Sequence, residues 1–298
     1  MNKKAPIQYI NRSTGELQTE TVMGNGALNF AYNTLLGRSL WGLLFNTGFL
    51  SKLMGWYYDS KLSHRAIKSL ISLPGLQADE AEKNWQEYGA FNDFFTRKLK
   101  SGSRLAAPAD DALCSPADGR VLIYPDVEPD IKVPVKGAVR SLENLCAMPI
   151  PMKKCSVAVI RLAPVDYHRY HYPCDCKNCG EAKKISGKYH SVNPIAFAKA
   201  PDLFVENTRV VTCLESKLFG KFYFIDVGAF GVGSIVNTSD SHEHQKFDEK
   251  GFFKFGGSTV ILIMDAEKVR FDADLVKNSA DNLETLIKAG EQIGKAIK

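Results

Sequence analysis

The chain has 298 residues, 45% hydrophobic and 24% charged, an ordinary globular composition with room for one large domain or two modest ones. Its formal net charge of +5 favours an anionic surface or substrate. It falls well short of the basic density of a nucleic-acid binder, so no nucleic-acid partner is expected.

Residues 1–20 read as a polar lead with a hairpin around Ser13-Thr14-Gly15. Lys3-Lys4 runs into polar sequence rather than an apolar segment, so no secretory signal is read; a cytoplasmic chain with mostly reduced cysteines is expected. From Ala27 to Leu73 apolar and aromatic residues recur at helical spacing, through Leu35, Leu36, Leu40, Trp41, Leu44, Phe45, Phe49, Leu53, Trp56 and Tyr57. Breaks at Gly42, Gly48 and Gly55 predict several helices. Arg38, Lys52, Lys61, Arg65 and Lys68 are interspersed, a pattern that suits both an interfacial membrane anchor and a helical cap on the main body. No run reaches the roughly 18 apolar residues of a membrane span, so no bilayer crossing is expected.

Pro74-Gly75 ends this section, and a short polar helix is predicted after it. Phe91–Leu99 carries four apolar positions that should dock on the core. Beyond Pro108 the texture is β-rich, with strands predicted at Arg120–Tyr124, Ser156–Leu162, Arg209–Leu214, Phe222–Val227, Val232–Val236 and Ser258–Met264. Leu283, Leu286, Ile287, Ile293 and Ile297 predict a closing amphipathic helix over 279–298. The fold class is α+β: an N-terminal helical section, residues 1–75, packed on a β-rich domain, residues 76–298.

Several groups could carry chemistry. Phe255-Gly256-Gly257-Ser258-Thr259-Val260 places two glycines before a serine that opens an apolar run. Without Cβ atoms the backbone there can bring a hydroxyl close to its preceding carbonyl; a plain hairpin turn is the other reading. Ser115-Pro-Ala-Asp118-Gly119 is a turn sequence carrying one carboxylate. Asp166-Tyr-His168-Arg-Tyr-His171 sets two histidines three apart in an irregular segment, and imidazole can both take and give a proton near neutral pH. Cys174, Cys176 and Cys179 follow, with the ligand chemistry of a zinc site but no matching second pair. Alternatively they are reduced loop cysteines or a redox-sensitive pair. His242 and His244 read as part of a solvated loop.

Taken together, Pro-Ala-Asp118-Gly, Asp-Tyr-His168-Arg-Tyr-His171 and Phe-Gly-Gly257-Ser258-Thr, in that order, resemble the phosphatidylserine decarboxylases. Phe91–Leu99 and Ser191-Val-Asn-Pro194 are similar to that family as well. The resemblance implies a self-processing proenzyme cut between Gly257 and Ser258 into a β chain, 1–257, and an α chain, 258–298. Ser258 would become a pyruvoyl group that forms a Schiff base with phosphatidylserine, releasing CO₂ and leaving phosphatidylethanolamine. By the family's pattern His171 is the base for self-cleavage, Asp118 orients it, and His168 serves proton transfer at the substrate stage. A lipid substrate gives the basic helical section a reason, namely peripheral contact with an anionic membrane surface at the cytoplasmic face. The resemblance leaves room for a homodimer. It carries no metal, and the cysteine cluster is outside its pattern. His190 stands where the family has an apolar residue. Two rival readings are a Ser–His–Asp lipid hydrolase without self-cleavage, which lacks the GxSxG elbow, and a non-enzymatic membrane-binding module.

Overall fold

The structure, a computed structural model, describes residues 7–20, 49–130, 133–135, 138–187, 207–228, 235–256 and 258–297. Expectations that fall on Leu35–Phe45, His190, Ser191–Pro194, Val232 and Gly257 lie outside those residues.

The chain opens with strands β1 (Gln8–Asn11) and β2 (Leu17–Thr19), joined by the predicted turn, where Gly15 N donates to Asn11 O at 2.7 Å. Helices α1 (Phe49–Asp59) and α2 (Ala66–Ile71) follow, then α3 (Phe91–Phe95). The short polar helix expected between α2 and α3 is absent among the described residues. Its place is taken by single 3₁₀ turns at Ala78–Glu80 and Trp85–Glu87. The β-rich part contains β3 (Ala112–Cys114), β4 (Gly119–Val127), the hairpin of β5 (Val133–Val135) and β6 (Ala138–Arg140), and helix α4 (Leu142–Cys146). Next come β7 (Cys155–Leu162), β8 (Arg169–His171), β9 (Cys176–Asn178), β10 (Lys183–Ile185), β11 (Arg209–Ser216) and β12 (Gly220–Gly228). The chain continues through β13 (Ile235–Asn237), β14 (Glu243–His244), β15 (Glu249–Phe253), β16 (Ser258–Asp265) and β17 (Val269–Phe271). It closes with α5 (Ala273–Ala280), β18 (Glu284–Ile287) and β19 (Gln292–Ala296).

The main sheet runs in the order β14-β9-β11-β12-β16-β7-β4-β18-β1-β2, with β10 also paired to β11. Every pair in it is antiparallel except β1 with β18. The central strands β7, β12 and β16 are apolar at almost every position because both their faces are covered. One face buries Ala158, Ile160, Phe222, Phe224, Val260 and Leu262 beneath α5 and β19; the other buries Val157, Val159, Ile225, Ile261 and Ile263 against α4. A third cluster gathers Ile67, Leu70, Phe91, Phe94 and Phe95, with Tyr58 and Phe255 packed on it. The mixed architecture is α+β, as the sequence implied.

The closing helix over 279–298 does not form. Asn282 turns the chain at φ +58, and the apolar residues then alternate along β18 and β19. Gly290 and Gly294 disfavour helix, while Thr285, Ile287 and Ile293 suit a pleated surface, so the helical spacing of the leucines and isoleucines was coincidental. The β1–β2 hairpin is also no separate lead, because β1 extends the main sheet through β18.

Candidate functional site

Ser258 is the first residue of β16, in the middle of the sheet. It pairs with Gly228 of β12 on one side and Leu162 of β7 on the other, so its backbone is fixed from both flanks. Gly256, two residues earlier, has φ +155, a conformation that favours glycine. The Ser258 side chain is buried, and its Oγ lies 3.3 Å from His168 Nδ1.

His168 is held on three sides. Strand β7 ends at Leu162, and the turn that follows is closed by Asp166, whose carboxylate accepts from Ala163 N at 2.6 Å and pairs with Arg120. That turn presents the Ala163 carbonyl to His168 Nε2 at 3.1 Å. A carbonyl only accepts, so Nε2 carries the hydrogen and Nδ1 is left with a lone pair facing the Ser258 hydroxyl. Phe95 of α3 stacks on the ring with centroids 3.9 Å apart. Complete burial, reinforced by the charge of Arg97, lowers the His168 pKa from 6.5 to about 3, so the imidazole is neutral at physiological pH. His168 is therefore a hydrogen-bond acceptor aimed at a serine.

His171 lies at the end of β8, and its backbone N donates to Pro116 O at 2.8 Å. This bond joins the Ser115–Gly119 turn to the two-histidine segment. Its Nδ1 donates to Phe247 O at 3.1 Å, and the Phe247 ring stacks on it at 4.3 Å. Phe247 adopts φ +74, an unusual conformation for a bulky residue, at the point where its carbonyl meets the imidazole. The opposite nitrogen, Nε2, is buried with no hydrogen-bond partner among the described residues. Burial lowers the His171 pKa, and the Phe247 carbonyl, Glu249 and Asp118 oppose that shift. His171 thus also holds a bare lone pair.

Asp118 is bound on both oxygens. Arg104 Nε donates to Oδ1 at 2.8 Å, an Arg104 terminal nitrogen donates to Oδ2 at 2.6 Å, and Ala289 N donates to Oδ1 at 2.8 Å. Neither nitrogen of His171 bonds to Asp118 or to Ser258, so Asp118 reaches His171 through its field alone. Gly119 is required beside it, because a Cβ there would sit 2.7 Å from Arg161 O across the strand pair.

The structure thus brings the three motifs together, with His168 against Ser258 and His171 tied to the Asp118 turn. Sequence reasoning missed four partners: Phe95, the Ala163 carbonyl, the Phe247 carbonyl and Arg104. Phe95 stands in an apolar motif assigned to core packing, and backbone carbonyls leave no mark in a sequence. Arg104 is fourteen residues from Asp118 with no pattern to link them.

Cys174 and Cys176 are buried and Cys179 is exposed. Among the described residues no group of three or more His, Cys, Asp or Glu side chains could hold a metal ion. His244 departs from the solvated-loop expectation. It is buried, stacked on Tyr172 at 3.7 Å, with Nε2 3.2 Å from Asn178 Oδ1.

A largely antiparallel sheet that seals a serine against a neutral histidine at the head of its central strand defines an α+β protein with a buried serine–histidine centre. Comparison with known proteins narrows that class. Residues 91–295 match the family described as phosphatidylserine decarboxylase. A phosphatidylserine decarboxylase proenzyme of Ruminiclostridium cellulolyticum is 39% identical over 295 residues, covering 98% of each chain. Proteins of the same description from Chlamydia caviae and Clostridium tetani are 38% and 40% identical over 296 residues, each covering at least 97% of both chains. The chain belongs to the phosphatidylserine decarboxylase family, a family of decarboxylases.

Proposed function

We propose that the chain is a proenzyme that cuts itself between Gly257 and Ser258 and then decarboxylates phosphatidylserine to phosphatidylethanolamine and CO₂. The observation that carries this reading is the Ser258 hydroxyl on the lone pair of His168 at the head of β16, directly after the two glycines. Ser258 Oγ attacks the Gly257 carbonyl carbon, the peptide C–N bond breaks, and the amide becomes an ester. Subsequent loss of the Ser258 α-proton breaks the ester Cβ–O bond, releasing the 257 carboxylate and leaving dehydroalanine, whose imine tautomer takes up water and loses ammonia to give the pyruvoyl group.

The residues present fit a pyruvoyl group at position 258. Strand pairing with Gly228 and Leu162 holds the new terminus, and the His168 Nδ1 lone pair faces that position. When formed, the group supplies an electron sink for the charge left on carbon as CO₂ departs. The chain's own residues exclude water: Phe95 covers His168, and Phe247 covers His171.

The division of labour implied by the resemblance gives self-cleavage to His171, with Asp118, and the substrate stage to His168. Its support is the buried Nε2 of His171, which has no hydrogen-bond partner among the described residues, and the negative field of Asp118, which favours the protonated imidazole. The Ser258–His168 hydrogen bond favours a second reading, in which His168 takes the serine proton as well. On denaturing gels, wild type should separate into chains 1–257 and 258–298, and Ser258→Ala should stay whole. His168→Ala that cleaves but does not decarboxylate supports the first division; an uncut His168→Ala with a cut His171→Ala supports the second. A single unprocessed wild-type band beside esterase activity would favour the hydrolase instead.

Membrane contact belongs to the same proposal. No helix among the described residues is long and apolar enough to cross a membrane. Leu53, Trp56, Tyr57 and Leu62 are nonetheless exposed on and just after α1, next to exposed Lys61, Arg65 and Lys68. Such a face suits peripheral docking on anionic lipid at the cytoplasmic side. The two-part organisation then places the lipid-facing helices before about residue 75 and the catalytic sheet after it, with the β1–β2 hairpin joined to the sheet.

A further inference from the structure

The residues just before the glycine pair are each gripped by a distant part of the chain. Phe253 N donates to His168 O at 2.9 Å. Lys254 Nζ pairs with Asp59 Oδ2 at 2.8 Å. Phe255 N donates to Asn92 Oδ1 at 2.9 Å. The Phe255 ring sits among Tyr58, Phe91 and Phe95, at centroid distances of 4.7, 4.9 and 5.2 Å. On the other side of the glycines, Ser258 is fixed in the sheet. The chain between Phe255 and Ser258 is therefore held at both ends.

Asn92 is the centre of this grip. It is 3% exposed, inside a helix of five residues, where asparagine is a poor helix former. Both ends of its amide are used: Oδ1 accepts from Phe255 N, and Nδ2 donates to Asp59 Oδ1 at 2.8 Å. Asp59 closes α1, so one carboxylate ties together that helix, α3 and the Lys254 side chain. Ordinary core packing of α3 requires none of this, since an apolar residue at 92 would pack without the desolvation cost of an amide.

We propose that Asn92 and Asp59 are positioning residues for self-cleavage: they hold Lys254 and Phe255 so that the following glycine carbonyl is presented to Ser258. The inference rests on the self-cleavage reading above. Orientation of the reacting atoms is where such a grip acts, and a displacement of about 1 Å costs roughly 10²-fold in rate. It also gives the helical section a part in maturation that is separate from membrane contact.

The test is a pulse-chase of full-length chain, following conversion of precursor to two polypeptides on a gel, with thermal unfolding of each precursor in a Ser258→Ala background. Asn92→Ala is expected to slow conversion by roughly 10- to 100-fold. Asp59→Ala, at an exposed position outside the core, is expected to slow it by several-fold. The exchange Asp59→Asn with Asn92→Asp keeps an amide-to-carboxylate bond with its direction reversed and keeps an acceptor for Phe255 N. It should return conversion to within about threefold of wild type. Conversion of Asn92→Ala at the wild-type rate overturns the proposal, as does a slow Asn92→Ala that the exchange leaves unrescued. If Asn92→Ala fails to fold, Asp59→Ala decides, and unchanged conversion there overturns the proposal. Wild type that never converts contradicts self-cleavage itself, a result distinct from all of these.

Discussion

Burial of His168 as a neutral imidazole has a measurable consequence for stability against pH. Its pKa falls from 6.5 to about 3 in the folded chain, because no water reaches it and Arg97 stands near. As pH drops below about 6.5 the unfolded chain takes up a proton at this position, while the folded chain does not until about pH 3. The unfolded state then binds more protons, so stability is fully present above pH 6.5 and is lost as pH falls. Each pH unit in that window removes about 1.4 kcal/mol, or about 3 kcal/mol by pH 4.5. The perturbation is His168→Leu in a Ser258→Ala background, which keeps the chain uncut; His171 and every other titrating group are common to both proteins and cancel in the difference. Urea unfolding at pH 7.0, 5.5 and 4.5 reads it. The leucine variant should start less stable at pH 7, having lost the Ala163 bond, and gain on its parent by about 3 kcal/mol by pH 4.5. Parallel pH dependence of the two proteins within about 0.5 kcal/mol would refute the burial argument.

Other perturbations have expected outcomes. Arg104→Ala strips two charge-assisted hydrogen bonds from the buried Asp118 carboxylate and should destabilise by about 3–5 kcal/mol in denaturant unfolding; Asp118→Asn, which leaves no stranded anion, should cost less. Gly119→Ala drives a methyl to within 2.7 Å of Arg161 O and should cost about 1–3 kcal/mol and lower the melting temperature. Replacing Lys61, Arg65 and Lys68 together with glutamine should weaken binding to phosphatidylserine-containing vesicles by up to about 100-fold at low salt, at about 1 kcal/mol per charge, while Trp56→Ala should weaken it with little change in salt dependence.

The strands of the main sheet could be read from the sequence because they are continuous apolar runs bounded by turn residues: β7, β11, β12 and β16 fall within two residues of the predicted spans. The C-terminal strands could not. Leu283, Leu286 and Ile287 satisfy helical and extended spacing equally over so short a stretch, and only pairing with β1 and β4 decides between them. The candidate site was legible as residues and not as contacts. Ser258, His168, His171 and Asp118 could be named from three motifs, yet no sequence feature shows that an alanine carbonyl sets the tautomer of His168 or that Arg104 occupies Asp118. Those depend on how turns are folded against strands distant in the chain.

The proposed conversion of Ser258 from nucleophile to cofactor is read most directly from the intact mass of the small polypeptide of purified wild-type protein. The expected fragment runs from residue 258 to 298 and is lighter by one ammonia than the same residues beginning with serine. A fragment with an unmodified serine terminus, or no fragment at all, would contradict that conversion.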